Sequence, residues 1–276
     1  MALKLALRTV PDVPLEAEVI CPDRLKDLSA AQVAALPIYY GNQQISLGEM
    51  FEVSCRANGE LELEGDLGRV KYIGAGMTGG RIRIAGNVGL HLGAGMSGGE
   101  IVVQGNAGDW VAPEISGGRI IIQGNAGHLV GSAYRGATVG MRGGEILIHG
   151  KAGNEVGHGM RNGLIAIAGD CGDFAGVDMR AGTIIVLGQL GWRSGAGMRR
   201  GSIVSMHTAP MLPTFSYACA YHPPFLALYL LHLREYGLSV SDTQLNGFYR
   251  RWVGDAIELN RGEILLFQDG GEQHAF

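Results

Sequence analysis

The residues whose type and spacing most suggest a binding device are five arginines. Arg142, Arg161, Arg180 and Arg199 follow one another at an even interval of nineteen, with Arg200 beside the last. Guanidinium groups hold carboxylates and phosphates through paired N–H donors, so such a column predicts an anionic partner. Stacked ~5 Å apart, neighbouring arginines repel by ~1 kcal/mol even at the dielectric of water. Three uses remain open: a solvated basic stripe bonded to local carbonyls, a docking site for an acidic protein surface, or a hold on an anionic cofactor tail. At the equivalent earlier positions stand Thr78, Ser97 and Ser116.

No other set of residues composes a reaction centre. The eight histidines (91, 128, 149, 158, 207, 222, 232 and 274) show no HxH, HxxxH or HExxH spacing, so a zinc site is not indicated. His149 and His158 could approach each other through stacking. Cys21, Cys55, Cys171 and Cys219 lie far apart with no CxxC; they read as reduced, buried thiols, and iron–sulfur spacings are missing. Gly-x-Gly pieces recur, but without the strand–GxGxxG–helix context and the acidic residue that a dinucleotide site needs. A sugar-cleaving enzyme would want carboxylates gathered on one face, whereas Asp109, Asp173 and Asp178 fall at unrelated or widely separated positions.

The elements that must position these residues are legible from the glycines. There are 46 in 276 residues, against an ordinary share near ~7%, and they recur with a period. Short apolar strands begin at Arg81, Glu100, Arg119, Glu145, Leu164, Thr183 and Ser202, with a looser copy at Leu61 to Gly65. Every step between these seven starts is nineteen except the one from Arg119 to Glu145, which is twenty-six. That long step carries an insertion around Ser132 to Thr138. Within each strand Ile82, Ile101, Ile120, Ile146, Ile165, Ile184 and Ile203 form one column, and Ile84, Val103, Ile122, Ile148, Ile167 and Val186 the next alternate one. Period two puts both columns on one face. Equivalent positions recur with one polarity, so the strands stack parallel and in register, and no repeat can bury its apolar side alone. The expectation is a mainly β chain: a right-handed parallel β-helix of about seven coils, roughly 30–35 Å long at ~4.8 Å per coil.

Glycines at 86, 105, 124, 150, 169 and 188, and again three positions later, mark corners that demand positive φ or close backbone approach. Met77, Met96, Met141, Met160, Met179 and Met198 form a further column; flexible core filling accounts for it better than soft-metal binding. Val102, Ile121, Leu147 and Ile185 alternate with the inward columns and therefore point outward. Such a face requires cover, from the chain's own tail or as an interface with another subunit.

Three regions follow: a cap and docking segment at 1–57, the β-helix at 58–205 and a helical tail at 206–276. The first holds a short helix with a capping-box pattern, Ser29 to Gln32, ended by Pro37. The last holds Pro223-Pro224, an apolar helix to Tyr236 stopped by Gly237, a second short helix near 241–252 and a strand from Glu263 to Phe267. Both flanks read as α/β caps over open sheet ends. A net charge of −4 gives no global field for nucleic acid. The N-terminus is too interrupted for a signal peptide, and the apolar run Phe225 to Leu233 too short for a membrane span, so a cytoplasmic location is expected.

The runs GAGMTGG (74–80), GAGMSGG (93–99), GHGMRNG (157–163) and GAGMRRG (195–201) resemble the GXGXG domain, found at the end of the glutamate synthase large subunit and as the C subunit of formylmethanofuran dehydrogenase. Pro22-Asp23, Gly41-Asn42 and Leu47 to Phe51 are similar to the lead-in of that subunit. Leu212 to Phe215, Tyr249-Arg250-Arg251, Gly254-Asp255 and Gly262 to Leu265 are similar to its bacterial form, the C subunit of the formyltransferase/hydrolase complex of methylotrophs. The resemblance implies a non-catalytic scaffold without a cofactor of its own. Its partners would be amidohydrolase-like, formyltransferase and molybdopterin-subunit-like proteins. The complex would move formyl from formyl-tetrahydromethanopterin to methylofuran and hydrolyse it to formate, with metal in the hydrolase subunit. The glutamyl tail of a methanofuran-type cofactor would then be one candidate for the arginine column. The rival readings are the C subunit of an archaeal tungsten or molybdenum formylmethanofuran dehydrogenase, a freestanding relative of the glutamate synthase domain, and an independent carbohydrate-acting β-helix enzyme.

Overall fold

The computed structural model describes residues 2–56 and 60–268, with the backbone alone for Ala2, Cys55 and Arg56. His274 lies outside the described residues. The chain opens with β1 (Ala2–Leu7), β2 (Leu15–Glu16), α1 (Pro22–Leu25), α2 (Ala30–Ala34), β3 (Pro37–Tyr40), β4 (Gln43–Ser46), α3 (Leu47–Met50) and β5 (Phe51–Arg56). The predicted capping box starts α2: the Gln32 N–H donates to Ser29 Oγ at 3.3 Å and the Ser29 N–H to Gln32 Oε1 at 2.9 Å. Pro37, which cannot continue a helix, begins β3.

The repeats follow as β6 (Leu61–Glu64), β7 (Val70–Lys71), β8 (Arg81–Ile84), β9 (Glu100–Val103), β10 (Arg119–Ile122), β11 (Glu145–Ile148), β12 (Leu164–Ile167), β13 (Thr183–Val186) and β14 (Arg200–Ser205). From β8 to β13 each strand starts at the residue expected; β14 starts earlier, at Arg200 instead of Ser202. The strands pair parallel, with Ile82, Ile101, Ile120, Ile146, Ile165, Ile184 and Ile203 in consecutive register. All seven are fully buried, as are the six methionines. A second column of parallel bridges runs Leu67, Val88, Ala107, Ala126, Ala152, Cys171, Leu190. The corner glycines after the strands are explained by contact. A Cβ on Gly86 would lie 2.5 Å from the Gly65 carbonyl oxygen, and none of these glycines has positive φ.

Beyond the repeats lie β15 (Ser216–Tyr221), α4 (Pro224–Glu235), α5 (Asp242–Asn246), β16 (Phe248–Gly254) and β17 (Arg261–Gln268). The tail is therefore less helical than expected. The helix placed near 241–252 ends at Asn246, and Phe248 onward is strand, because Tyr249, Arg251 and Val253 sit in a β ladder opposite Phe267, Leu265 and Glu263. Among the described residues one sheet of 13 strands runs β15-β16-β17-β14-β13-β12-β11-β10-β9-β8-β6-β1-β5. Both flanks thus extend the sheet. The fold is mainly β, with a large, mostly parallel sheet and few helices.

The outward apolar face is covered by the chain itself. Leu226, Leu230 and Leu233 of α4, together with Leu238, Val240 and Tyr249, pack on Ile121, Leu147, Ala166, Ile185 and Val204. Leu147 and Ile185 have no exposed surface, Ile121 is buried, and Val102 is half-buried at the margin. Of the two covers expected for Val102, Ile121, Leu147 and Ile185, the structure shows the chain's own tail, chiefly α4, in place of another subunit. Fully burying each of Leu226, Leu230 and Leu233 contributes about 1.5–3 kcal/mol, which outweighs the weak intrinsic stability of a 12-residue helix.

Candidate functional site

The arginine column lies on one corner of the stacked repeats. The backbone N–H groups of Arg142, Arg161, Arg180 and Arg199 donate to Ile115, Met141, Met160 and Met179 carbonyls at 2.7–2.8 Å, one repeat before each. That parallel ladder sets the four residues above one another at the strand spacing, ~4.8 Å. Arg142, Arg161 and Arg199 are exposed and Arg180 is half-buried. Arg200 departs from the column. It enters β14 and faces Arg261 of β17 in register.

The two ends of the same column hold carboxylates from the flanks. Thr78 donates its backbone N–H and its hydroxyl to Asp23, at 2.7 and 2.8 Å, and these bonds hold the Asp23 carboxyl below its ordinary range. At the other end Arg199 Nε donates to Glu258 Oε2 at 3.0 Å. Nearby, the Gly197 N–H donates to Asp255 Oδ2, also at 3.0 Å. Between these ends Arg142, Arg161 and Arg180 carry no carboxylate of this chain among the described residues.

Beside Arg180 and Arg199 is a cleft of about 200 Å³, lined also by His158, Asp178, Ala137 and Thr138. Ala137 and Thr138 belong to the insertion in the long step, so the one irregular repeat forms a wall of this cleft. His158 sits between two carboxylates, with Nδ1 3.2 Å from Glu155 Oε2 and Nε2 3.7 Å from Asp178 Oδ2. His149 lies elsewhere, with its Cε1 near Gly237 after α4, its Nε2 buried without a partner and its imidazole pushed below the ordinary pKa by burial. The two histidines have separate surroundings.

The remaining polar columns serve the scaffold. Asn87, Asn106 and Asn125 each accept the backbone N–H one repeat ahead, and Asp170 does the same for Gln189. In a second column Asp109, His128 Nδ1, Asn154 and Asp173 accept from His128, Asn154, Asp173 and Trp192 at 2.8–3.0 Å. Asp109 and Asp173 are thus members of one structural ladder. On the strand face, charges alternate: Arg81 bridges Glu60 and Glu100, Arg119 bridges Glu100 and Glu145, and Glu145 meets His232 of α4 at 2.9 Å.

Sequence reasoning did not identify an aromatic column. Tyr72, His91 and Trp110 stack at centroid distances of 4.6 and 6.0 Å, and Tyr134 of the insertion stacks on Trp110 at 5.0 Å. The Tyr134 hydroxyl lies 2.9 Å from His91 Nδ1. The signal was available, since Tyr72, His91 and Trp110 share the repeat spacing; all three have φ near +60°, a conformation that periodicity does not announce.

Comparison with known proteins bears on this architecture. A model of the GXGXG motif family matches residues 100–211. The C subunit of molybdenum-containing formylmethanofuran dehydrogenase 1 of Methanothermobacter thermautotrophicus is 46% identical over 82 residues, 29% of this chain and 20% of that protein. The C subunit of the formyltransferase/hydrolase complex Fhc of Methylorubrum extorquens is 37% identical over 88 residues, 31% of this chain and 33% of that protein. These matches span a fifth to a third of the curated relatives' length. A chain of the crystal structure of the Methylorubrum extorquens formyltransferase/hydrolase complex with methylofuran matches with a TM-score of 0.89 and 35% identity, over 96% of this chain and 100% of that one. The chain belongs to the C-subunit family of formylmethanofuran dehydrogenases and formyltransferase/hydrolase complexes. Several of its relatives are named for molybdenum or tungsten. Among the described residues no three His, Cys, Asp or Glu side chains are grouped to hold an ion. Cys21 and Cys171 are buried singly, and Cys171 is pushed up to about 12 by burial. Cys219, expected to be buried, is exposed on β15 because that strand ends the sheet. Also among the described residues, no helix is long and apolar enough to cross a membrane.

Proposed function

We propose that this chain is a non-catalytic structural subunit of a cytoplasmic formyltransferase/hydrolase complex that transfers formyl from formyl-tetrahydromethanopterin to methylofuran and hydrolyses it to formate. The observation that carries the reading is the end-to-end likeness to a chain of the Methylorubrum extorquens complex. Its partners are the amidohydrolase-like, formyltransferase and molybdopterin-subunit-like proteins of such a complex, with metal in the hydrolase subunit and methylofuran as the shared cofactor. The non-catalytic part is supported by the use of the chain's polar side chains: Asp109, His128 and Asp173 accept backbone N–H groups, and the strand-face carboxylates neutralise arginines. A right-handed parallel β-helix of about seven coils at 58–205, between caps at 1–57 and 206–276, is the architecture proposed. The in-register sheet and the second bridge column support it.

The test is native mass spectrometry of the tagged protein recovered from its own host. A stoichiometric complex with an amidohydrolase-like and a formyltransferase subunit is the expected result; a monodisperse free monomer would overturn the reading. The local identity to the molybdenum and tungsten dehydrogenases favours a second reading, the C subunit of a redox complex. Elemental analysis of the purified complex decides it: molybdenum or tungsten at one equivalent selects the dehydrogenase.

A further inference from the structure

We propose that the middle rungs of the arginine column, Arg142, Arg161 and Arg180, with the cleft beside Arg180, dock an acidic helix of a partner protein. The inference rests on the reading of the chain as a subunit and adds where and how a partner is recognised.

The first rung holds Asp23 through Thr78, and the last holds Glu258 through Arg199. Both carboxylates come from flanks that close over the stack. The corner therefore already receives carboxylates in two places, and in both it uses side chains at the column position. Among the described residues, the rungs between these ends carry none: Ser97 and Ser116 are uncharged, and Arg142, Arg161 and Arg180 are left as unpaired cations. On the strand face Arg81, Arg83, Arg119 and Arg251 each carry a carboxylate at 2.6–2.8 Å from within the chain, while, among the described residues, Arg200 and Arg261 face each other without one. Three like charges in a row on the corner repel one another, so the arrangement gains most from an external anion.

Spacing decides the shape of the partner. Rungs recur at ~4.8 Å along the stack. Acidic residues along one face of an α-helix recur once per turn, ~5.4 Å, so the mismatch over three rungs stays near ~1 Å. An extended strand presents same-side residues every ~6.7 Å and drifts by ~4 Å over the same three rungs. Long arginine side chains absorb the first mismatch more readily than the second. The insertion adds a boundary: Ala137 and Thr138 wall the cleft next to Arg180 and Arg199, with His158 and Asp178 lining it. A helix laid along the corner would run against that wall beside Arg180, which restricts where it can sit.

The experiment uses the complex purified from the host with Arg161→Lys and Arg180→Lys in this chain. A zero-length carbodiimide joins the introduced amines to any carboxylate in contact, and mass spectrometry reads the joined peptides. Joined Asp or Glu residues three or four apart in one partner subunit are expected. In parallel, Arg161→Glu with Arg180→Glu should weaken retention of that subunit by about tenfold, more steeply at low salt. Arg161→Gln with Arg180→Gln, which preserves the surface without reversing charge, should give the same direction at smaller size. Joining to the cofactor's own carboxylates, with all subunits retained, would overturn the proposal in favour of a cofactor-tail site. No joining and unchanged assembly would overturn it in favour of a solvated stripe. Recovery of the unaltered chain as a free monomer would instead remove the subunit reading itself, an outcome visible before any substitution is made.

Discussion

Gly188→Ala and Gly76→Ala test two different reasons for glycine in the same kind of repeat. At Gly188 the backbone φ is ordinary for any residue, but an added Cβ would lie 2.4 Å from the Gly169 carbonyl carbon and 2.5 Å from its oxygen. Ordinary contact begins near 3.4 Å, so the two repeats would have to part by about 1 Å of their ~4.8 Å spacing. The Gly188 N–H bond to Gly169 at 3.2 Å, and the neighbouring Leu187 bond to Ile167 at 2.8 Å, would stretch with them. Overpacking costs ~1–3 kcal/mol and each buried hydrogen bond left unmade another ~1–3 kcal/mol, so Gly188→Ala should lose about 3–5 kcal/mol. At Gly76 the situation is reversed: φ is +68° and nothing lies within 4 Å of the added Cβ. Glu114 and Asp178 occupy the equivalent position at φ +56° and +55°, so the left-handed conformation alone sets the cost, ~1–2 kcal/mol. Thermal unfolding followed by circular dichroism gives the ranking, and amide exchange in β12 and β13 locates the damage. Equal losses, or a larger loss at Gly76, would refute the claim that contact dictates the glycines after the strands.

Three further outcomes follow from the described contacts. Leu230→Ala, at a fully buried site in α4, should cost about 2–5 kcal/mol and raise amide exchange in α4 and in the strand residues beneath it; unchanged exchange would mean that the helix is held otherwise. Asp173→Ala removes the acceptor for the Trp192 N–H and should cost ~1 kcal/mol, whereas Asp173→Asn, which keeps an oxygen there, should cost little; a melt that ranks the two oppositely would count against the ladder. Burial, and secondarily Lys71, holds the His91 imidazole below its ordinary value of 6.5, while Glu16 and Asp109 oppose the shift. Its contribution to stability is therefore complete above 6.5 and is lost as pH falls toward the lowered value. Trp110 fluorescence, isolated by comparison with Trp110→Phe, should change over that acidic range and lose the change in His91→Gln; persistence in His91→Gln would remove His91 as the cause.

The repeat was legible because a parallel stack places like residues beside like, so a fixed period in sequence becomes a column in space. The strand starts at Arg81 and Thr183, the Ile columns and the buried methionines all followed from that one fact. The tail was harder. Phe248 to Gly254 reads as a helix continuation in isolation and becomes strand only because β17 offers a ladder. The apolar outer face was seen, yet periodicity could not say whether α4 or a neighbour would cover it. The carboxylates of Asp23, Asp255 and Glu258 reach the corner from outside the repeat, with no fixed spacing to mark them. The aromatic column had the spacing, but its stacking depends on positive φ at Tyr72, His91 and Trp110.

The register of the sheet also makes this protein a ruler with discrete graduations. Each inner repeat bonds to the one before and the one after, so removing or duplicating one whole repeat between two equivalent positions would leave every surviving backbone contact in place. The separation between Asp23 and Glu258, and between anything seated on the two flanks, would then change in steps of ~4.8 Å. A substitution cannot tune that separation; only a whole repeat can. Relatives that hold their partners at different distances should therefore differ by complete repeats, and the irregular step between Arg119 and Glu145 shows where extra chain is tolerated without disturbing the graduations on either side.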